Sequence, residues 1–215
     1  QPVPSLCLGS VEIPLYKMVS SYSVFGNKGV QIKPVFIKKI EDKNGVVIYN
    51  HKPEYTDVLN EEANYVMLKL LQGVVDKGTA RRLRQSKEHD LNMKGDQYES
   101  LQKSGYEFSN QIAGKTGTTD NHSDGWFIGL VPDLATGIWV GAEERGIHFK
   151  SLKLGSGSNM ALPIWGEFMQ KVYNNQELKS YYNQSFDIPK KEITINLDCN
   201  TENWDNNNIF EESFD

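Results

Sequence analysis

Cysteine and histidine are scarce in this chain, with two and four copies among 215 residues. Cys7 and Cys199 lie near opposite ends, with neither a metal-ligand spacing nor a disulfide framework around them. Cys7 sits among apolar neighbours and is expected to behave as a small buried hydrophobe. His51, His89, His122 and His148 are scattered and lack the H-x-x-x-H spacing of a zinc-binding helix. No apolar run approaches the roughly 20 residues that cross a bilayer. The opening Gln1-Pro2-Val3-Pro4 has neither the basic region nor the apolar core of a signal peptide. A basic bias is lacking too: the net charge is −5, which gives no footprint for nucleic acid. The short cluster Arg81, Arg82, Arg84, followed by Glu88 and Asp90, reads as a solvated surface. Gly155-Ser156-Gly157-Ser158 lacks the lysine of a phosphate-binding loop and reads as a flexible connector. Internal repeats are absent.

What is present suffices for one core. Hydrophobic residues make up 38% of the chain, enough for a single sizeable domain and too little for two. Leu15, Met18, Val19, Tyr22 and Phe25 recur at helical spacing from Pro14, until Gly26-Asn27-Lys28-Gly29 stops the helix. Val35-Phe36-Ile37 with Ile40, the turn Asp42-Lys43-Asn44-Gly45, and Val46 to Tyr49 predict a hairpin. A second amphipathic helix is expected from Asn60, its N-cap, to Val75, with Gly78 ending it. Residues 80–110 are polar and aperiodic, and read as a long loop or insertion. Three short strands follow, at 111–118, 126–131 and 136–141, forming an antiparallel meander. A last helix is expected from Ala161 to Tyr173, and Trp126, Trp139 and Trp165 are assigned to the core. Glu143-Glu144 reads as a solvated turn. Residues 1–175 are taken as one domain and 176–215 as a tail that turns acidic and Asn-rich from Gln184 onward, with weak order expected at its end. The fold class is α+β, an antiparallel sheet with helices packed on it.

Chemistry concentrates at Lys115-Thr116-Gly117. A bare triplet of this kind reads as a surface turn with an exposed lysine. This one sits on a predicted strand between Gly114 and Thr118-Thr119, just before a tryptophan-bearing strand. Acyl transfer needs a positive charge for a substrate carboxylate and donors for a developing oxyanion. Lysine supplies the charge, threonine hydroxyls supply orientable hydrogen bonds, and glycine lets the strand edge approach a substrate backbone.

The K-T-G triplet is among the signatures of penicillin-binding proteins and class A β-lactamases. The runs Ile112 to Thr119 and Asp124-Gly125-Trp126-Phe127-Ile128-Gly129 resemble the matching stretch of class A penicillin-binding proteins. So do Val131-Pro132-Asp133-Leu134-Ala135-Thr136-Gly137 and Trp139-Val140-Gly141. Upstream, Pro4 to Ser10, Pro14-Leu15, Tyr22 to Gly29, Leu71 to Val75 and Gly78-Thr79-Ala80 are similar to the family's blocks, in the same order. The resemblance spans about Pro4 to Tyr173 and implies a partial β-lactamase/transpeptidase-like fold. It implies D-alanyl-D-alanine transpeptidation in peptidoglycan crosslinking, with stem peptides and β-lactams as partners and no metal or organic cofactor. Lys115 would then pair with the substrate carboxylate and tune the proton network, and Thr116 and Thr118 would hydrogen-bond that carboxylate. The Thr118 N–H would form half of an oxyanion hole, and Gly117 would keep the strand edge open. Thr119 is a further substrate-binding candidate with a more structural aspect. The whole protein is implied to sit in the inner membrane, facing the periplasm or exterior, on an N-terminal helix beside a glycosyltransferase domain.

Two of the family's motifs are lacking. No S-x-N occurs, and the S-x-x-K at Ser100-Leu101-Gln102-Lys103 lies inside the polar insertion, in the wrong order relative to K-T-G. The segment is therefore expected to be soluble and inactive alone. Uncovered apolar surface is also expected, met by a dimer or by a missing N-terminal part supplied in trans. Three alternatives stay open: a non-catalytic module for D-Ala-D-Ala peptides, another serine acyltransferase of the β-lactamase/D,D-peptidase superfamily, and an interaction protein with an accidental triplet. The last requires that Lys115, Thr116 and Thr118 do not converge on one cleft.

Overall fold

The computed structural model describes residues 4–9, 11–86, 105–144 and 146–197. The side chain of Cys7 lies outside that set, as do Cys199, His89, the Ser100 and Lys103 pair, and residues 198–215.

The centre is the expected meander. Strands β5 (Ala113–Thr118), β6 (Gly125–Val131) and β7 (Leu134–Val140) form an antiparallel sheet in the order β5-β6-β7. Strand alternation splits β6 between two cores. Phe127 and Val131 face one side, where they join Val75, Ala80, Leu83, Ile112, Leu162 and Trp165. Leu130 faces the other, with Ala113, Leu68 and Leu71. Two helices frame that second side: α1 (Leu15–Gly26) and α2 (Glu61–Asp76). Helix α2 starts where Asn60 Oδ1 accepts the Ala63 N–H at 2.7 Å, as its cap signature requires.

The first side is closed by a long helix, which follows a short turn, α3 (Leu152–Gly155), and is labelled α4 (Gly157–Asn174). Trp165 is fully buried and meets Phe127 edge to face, with ring centroids 5.2 Å apart. Its indole N–H donates to the Thr136 hydroxyl. The ring fits because Gly129 carries no side chain: a Cβ there would lie 2.4 Å from Trp165 Cε2.

Several expectations change. Helix α4 begins at Gly157, four residues before Ala161, and Gly155, Ser156 and Gly157 are buried rather than a flexible connector. Val35-Phe36-Ile37 is no strand; the hairpin pairs β2 (Lys39–Glu41) with β3 (Val47–Asn50). Pro34, with no N–H to give a ladder, precedes that run. Instead, Phe36 approaches Tyr16 at 6.2 Å. A further pair joins β1 (Val30–Ile32) to β4 (Tyr55–Asp57).

The 80–110 segment is not loop throughout. Ala80, Leu83, Tyr106 and Phe108 are core residues, and residues 87–104 lie outside the described set. Arg84, expected at a solvated surface, is half-buried and donates to the carbonyls of Phe108 and Asn110 at 2.6 and 2.7 Å. It also pairs with Asp76 at 2.8 Å. The chain after α4 continues through a short helix, α5 (Ser180–Asn183). Beyond it Phe186 is buried, its N–H held by Gln111 Oε1 at 2.8 Å, while the end expected to be weakly ordered lies outside the described residues.

Apolar surface is left open around α1 and the small sheets. Phe36 is 84% exposed, and Ile37, Ile48 and Tyr55 are exposed as well. An apolar cleft of about 710 Å³ is lined by Leu15, Tyr16, Val19, Ile32 and Phe36. Among the described residues, no helix is long and apolar enough to cross a membrane.

Two outcomes test this packing. Gly129→Ala should cost about 1–3 kcal/mol in thermal unfolding, because the methyl must displace the Trp165 ring; native-like stability would mean the ring is not wedged there. Burial pushes the Tyr173 hydroxyl up to about 12 from the ordinary 10, against the opposing hydrogen bond from Asn110. The fold favours the neutral phenol, so that stabilisation is complete below pH 10 and is lost as pH rises toward 12. Tyr173→Phe should therefore lose stability less steeply than the native chain across that window in denaturant titrations. Equal slopes would show that the hydroxyl titrates as if in water.

Candidate active site

Strand β5 has a strand neighbour on one side only among the described residues. Its first half, Ala113 and Gly114, is buried, with Ala113 against Leu68 and Leu71 of α2. Its second half is accessible: Lys115 and Thr118 are exposed, and Thr116 and Gly117 half-buried. Alternation sends Lys115 and Gly117 to one face and Thr116 and Thr118 to the other, so the four share an edge rather than a face.

Each position is held differently. Lys115 Nζ donates to the Thr116 carbonyl at 2.8 Å. Among the described residues no carboxylate lies within ion-pair distance of it, so its charge stands un-neutralised. The Thr116 hydroxyl shares a 2.7 Å hydrogen bond with the hydroxyl of Thr79, from the loop that follows α2. Gly117 lies opposite Trp126 in the ladder, where a Cβ would meet Trp126 Cβ at 3.1 Å. Thr118 Oγ1 accepts the Gly157 N–H at 2.9 Å, so the first turn of α4 abuts the strand.

Thr119 faces the turn rather than the edge. Its hydroxyl accepts the Ser123 and Asp124 N–H groups at 3.1 and 3.0 Å, and its N–H donates to the Asp124 carbonyl at 3.1 Å. Asp124 uses both carboxylate oxygens: Oδ2 accepts from the Ser123 hydroxyl at 2.6 Å, and Oδ1 from the Trp139 indole at 2.9 Å. The β5–β6 turn is thereby tied to the end of β7. Trp139 is 41% exposed and Trp126 half-buried, so of the three tryptophans assigned to the core only Trp165 is enclosed. His122 occupies the same turn at a φ of 60°, half-buried against Gly155.

Sequence reasoning missed the residues that reach β5 from elsewhere. Thr79 stood in a recognised block with no role attached. Gly157 was hidden inside a composition that mimics a linker. Arg82, assigned to solvated surface, is half-buried and donates to the Ser158 carbonyl at 3.4 Å, on the first turn of α4. The basic spacing and the Gly-Ser repeat were visible; their meeting point was not.

Asp124→Ala should free the Trp139 indole and cost about 1 kcal/mol, since the bond is partly exposed. The indole N–H resonance of Trp139 should move toward its water-exposed position. An unmoved resonance would mean that another group holds the ring.

Comparison with known proteins bears on the family and the fold. Residues 4–143 match the family model described as the penicillin-binding protein transpeptidase domain. Penicillin-binding protein 1A of Aquifex aeolicus is 38% identical over 198 residues, covering 92% of this chain and 23% of that protein. The crystal structure of penicillin-binding protein 1A from Haemophilus influenzae is 21% identical with a TM-score of 0.63, covering 80% of this chain and 28% of that one. The penicillin-binding protein PonA1 from Mycobacterium tuberculosis gives the same TM-score of 0.63 at 19% identity, over 88% of this chain and 45% of that chain. The 215 residues thus span about a quarter of the first relative's length. With the family model spanning the meander and both helices before it, the chain belongs to the penicillin-binding protein transpeptidase domain family.

Proposed function

We propose that residues 1–175 form the C-terminal part of a serine D,D-transpeptidase domain, with β5 as the edge that binds the donor peptide's terminal carboxylate. The observation that carries this reading is the accessible Lys115–Thr118 edge. It bears an ammonium with no ion-pair partner among the described residues, and the Thr79 hydroxyl and the Gly157 N–H meet its two threonine hydroxyls. Lys115 supplies charge for the carboxylate and tunes the proton network, while Thr116 and Thr118 supply hydroxyl donors. The Thr118 N–H serves the oxyanion, and Gly117 keeps the edge low enough for a peptide backbone to approach. Thr119 contributes by fixing the turn in which the edge ends.

The reaction also requires a serine nucleophile with its lysine, supplied by the serine-bearing segment of the family in cis or in trans. The serine oxygen attacks the penultimate D-alanine carbonyl, the C–N bond breaks, and D-alanine leaves as a protonated amine. The resulting ester is resolved by an amine of a neighbouring stem peptide, which forms the crosslink and returns the serine. A β-lactam acylates the same serine by ring opening. The apolar surface around Phe36 suits burial by that complementary segment, and the whole protein would act at the outer face of the cytoplasmic membrane.

Labelling with a fluorescent penicillin tests the reading. This chain alone should not label, whereas a chain extended through the family's serine motif should. In the extended chain Lys115→Ala should slow labelling by about tenfold to a hundredfold, the worth of a charged hydrogen bond. Labelling of the shorter chain would instead point to Ser100 and Lys103. A folded extended chain that never labels would sink the transpeptidase assignment, and if it still bound D-Ala-D-Ala peptides it would be a binding module.

A further inference from the structure

We propose that Gly157 is a positioning residue for the site, fixing the Thr118 hydroxyl as a donor toward the β5 edge. The inference rests on reading that edge as the carboxylate-binding one.

A helix leaves its first N–H groups without intrahelical acceptors, and a side chain at the N-cap normally satisfies one of them. Helix α4 is capped otherwise. Ser156, at its N-cap, makes no side-chain cap hydrogen bond; its hydroxyl meets the Ser158 hydroxyl at 2.9 Å. The Gly157 N–H goes to Thr118 Oγ1 instead, at 2.9 Å across a separation of 39 residues. The strand thus caps the helix.

That bond has a consequence for the hydroxyl. A threonine hydroxyl has one proton and two lone pairs. With a lone pair occupied by an N–H at the positive end of an 18-residue helix, its proton remains uncommitted to that bond and points away from it. Thr118 then offers a donor, polarised by the helix, to an acceptor on the accessible edge. Such a group favours an anion over a ligand that must itself donate.

Only glycine permits the approach. A Cβ at position 157 would lie 2.3 Å from the Gly117 carbonyl oxygen and 2.5 Å from that of Trp126, both rigid backbone atoms of the sheet. Any side chain there must push the helix start off the strand, stretching the contact to Thr118. Arg82, bonded to the Ser158 carbonyl, also holds that turn.

The test uses this chain in isotope-labelled form and reads two signals. The first needs no ligand: Thr118→Val should move the Gly157 amide proton upfield and speed its exchange by about tenfold, while Thr118→Ser restores both. The second is titration with N-acetyl-D-alanyl-D-alanine, followed at the amides of residues 115–118. Native and Thr118→Ser chains should bind the free acid about tenfold better than its C-terminal amide. Thr118→Val and Gly157→Ala should lose that preference. A Gly157 amide indifferent to Thr118→Val overturns the inference whatever the ligand does, and so does native-like preference in a folded Gly157→Ala chain. If the Gly157 signature behaves as expected but the native chain ignores the dipeptide, the hydroxyl geometry holds and the carboxylate reading of the edge falls.

Discussion

The packing of helix α4 on the sheet is the contact on which the rest depends, and it exists because two backbone positions carry no side chain. At Gly129 the missing Cβ admits the Trp165 ring to the middle strand; at Gly157 it lets the helix start touch the carbonyls of Gly117 and Trp126. Along that contact the helix lies close enough for Leu162 and Met169 to be fully buried in the same core as Phe127. One docking thus assembles the main core and delivers a helix N-terminus to the K-T-G strand. Stability and site geometry are consequences of the same approach, which leaves little room to alter one alone.

What was legible in the sequence follows the range of the forces involved. The meander could be read because its strands are short, consecutive and closely spaced, with a tight turn at Pro132-Asp133 in which Asp133 takes a φ of 65°. Helix α2 could be read from Asn60 and its periodic apolar face, and its cap bond forms as the motif requires. The misreadings share a cause. Gly155 to Ser158 has linker composition, yet its small residues answer to a sheet some 39 residues away, which no local window contains. Val35-Phe36-Ile37 has strand composition, but no partner edge meets it among the described residues, and composition cannot supply one. Arg84 looked like a surface charge; its neighbours at 108 and 110 offer carbonyls that bring it inward.

The site divides in the same way. Lys115 to Thr119 could be recognised because a motif is contiguous and its residue types fit carboxylate binding. Thr79 could not be placed, since its contact with Thr116 spans 37 residues and depends on how α2 ends. Thr119 shows the limit from the other direction. It is contiguous with the motif and chemically suited to a ligand, but two backbone N–H groups of the following turn occupy its hydroxyl. Contiguity identifies which side chains are near a site, while the hydrogen-bond ledger of the fold decides which remain available to a substrate.

That availability is itself a departure from ordinary stabilisation. A free strand edge invites pairing with any other strand, and proteins blunt such edges with charge. Here Lys115, on the accessible half of β5, is exposed and has no ion-pair partner among the described residues, and its ammonium opposes casual strand addition by neutral or basic chains. The same half carries hydroxyls whose oxygens are engaged by Thr79 and Gly157 rather than left to water. Their orientation is therefore set before a ligand arrives, and binding need not bear the entropy of ordering them. An edge defended by charge and pre-ordered by neighbours discriminates by chemistry. On the proposed reading, a peptide with an anionic end would find a partner for the Lys115 charge, whereas one without it would cover that charge with nothing to offset its lost hydration.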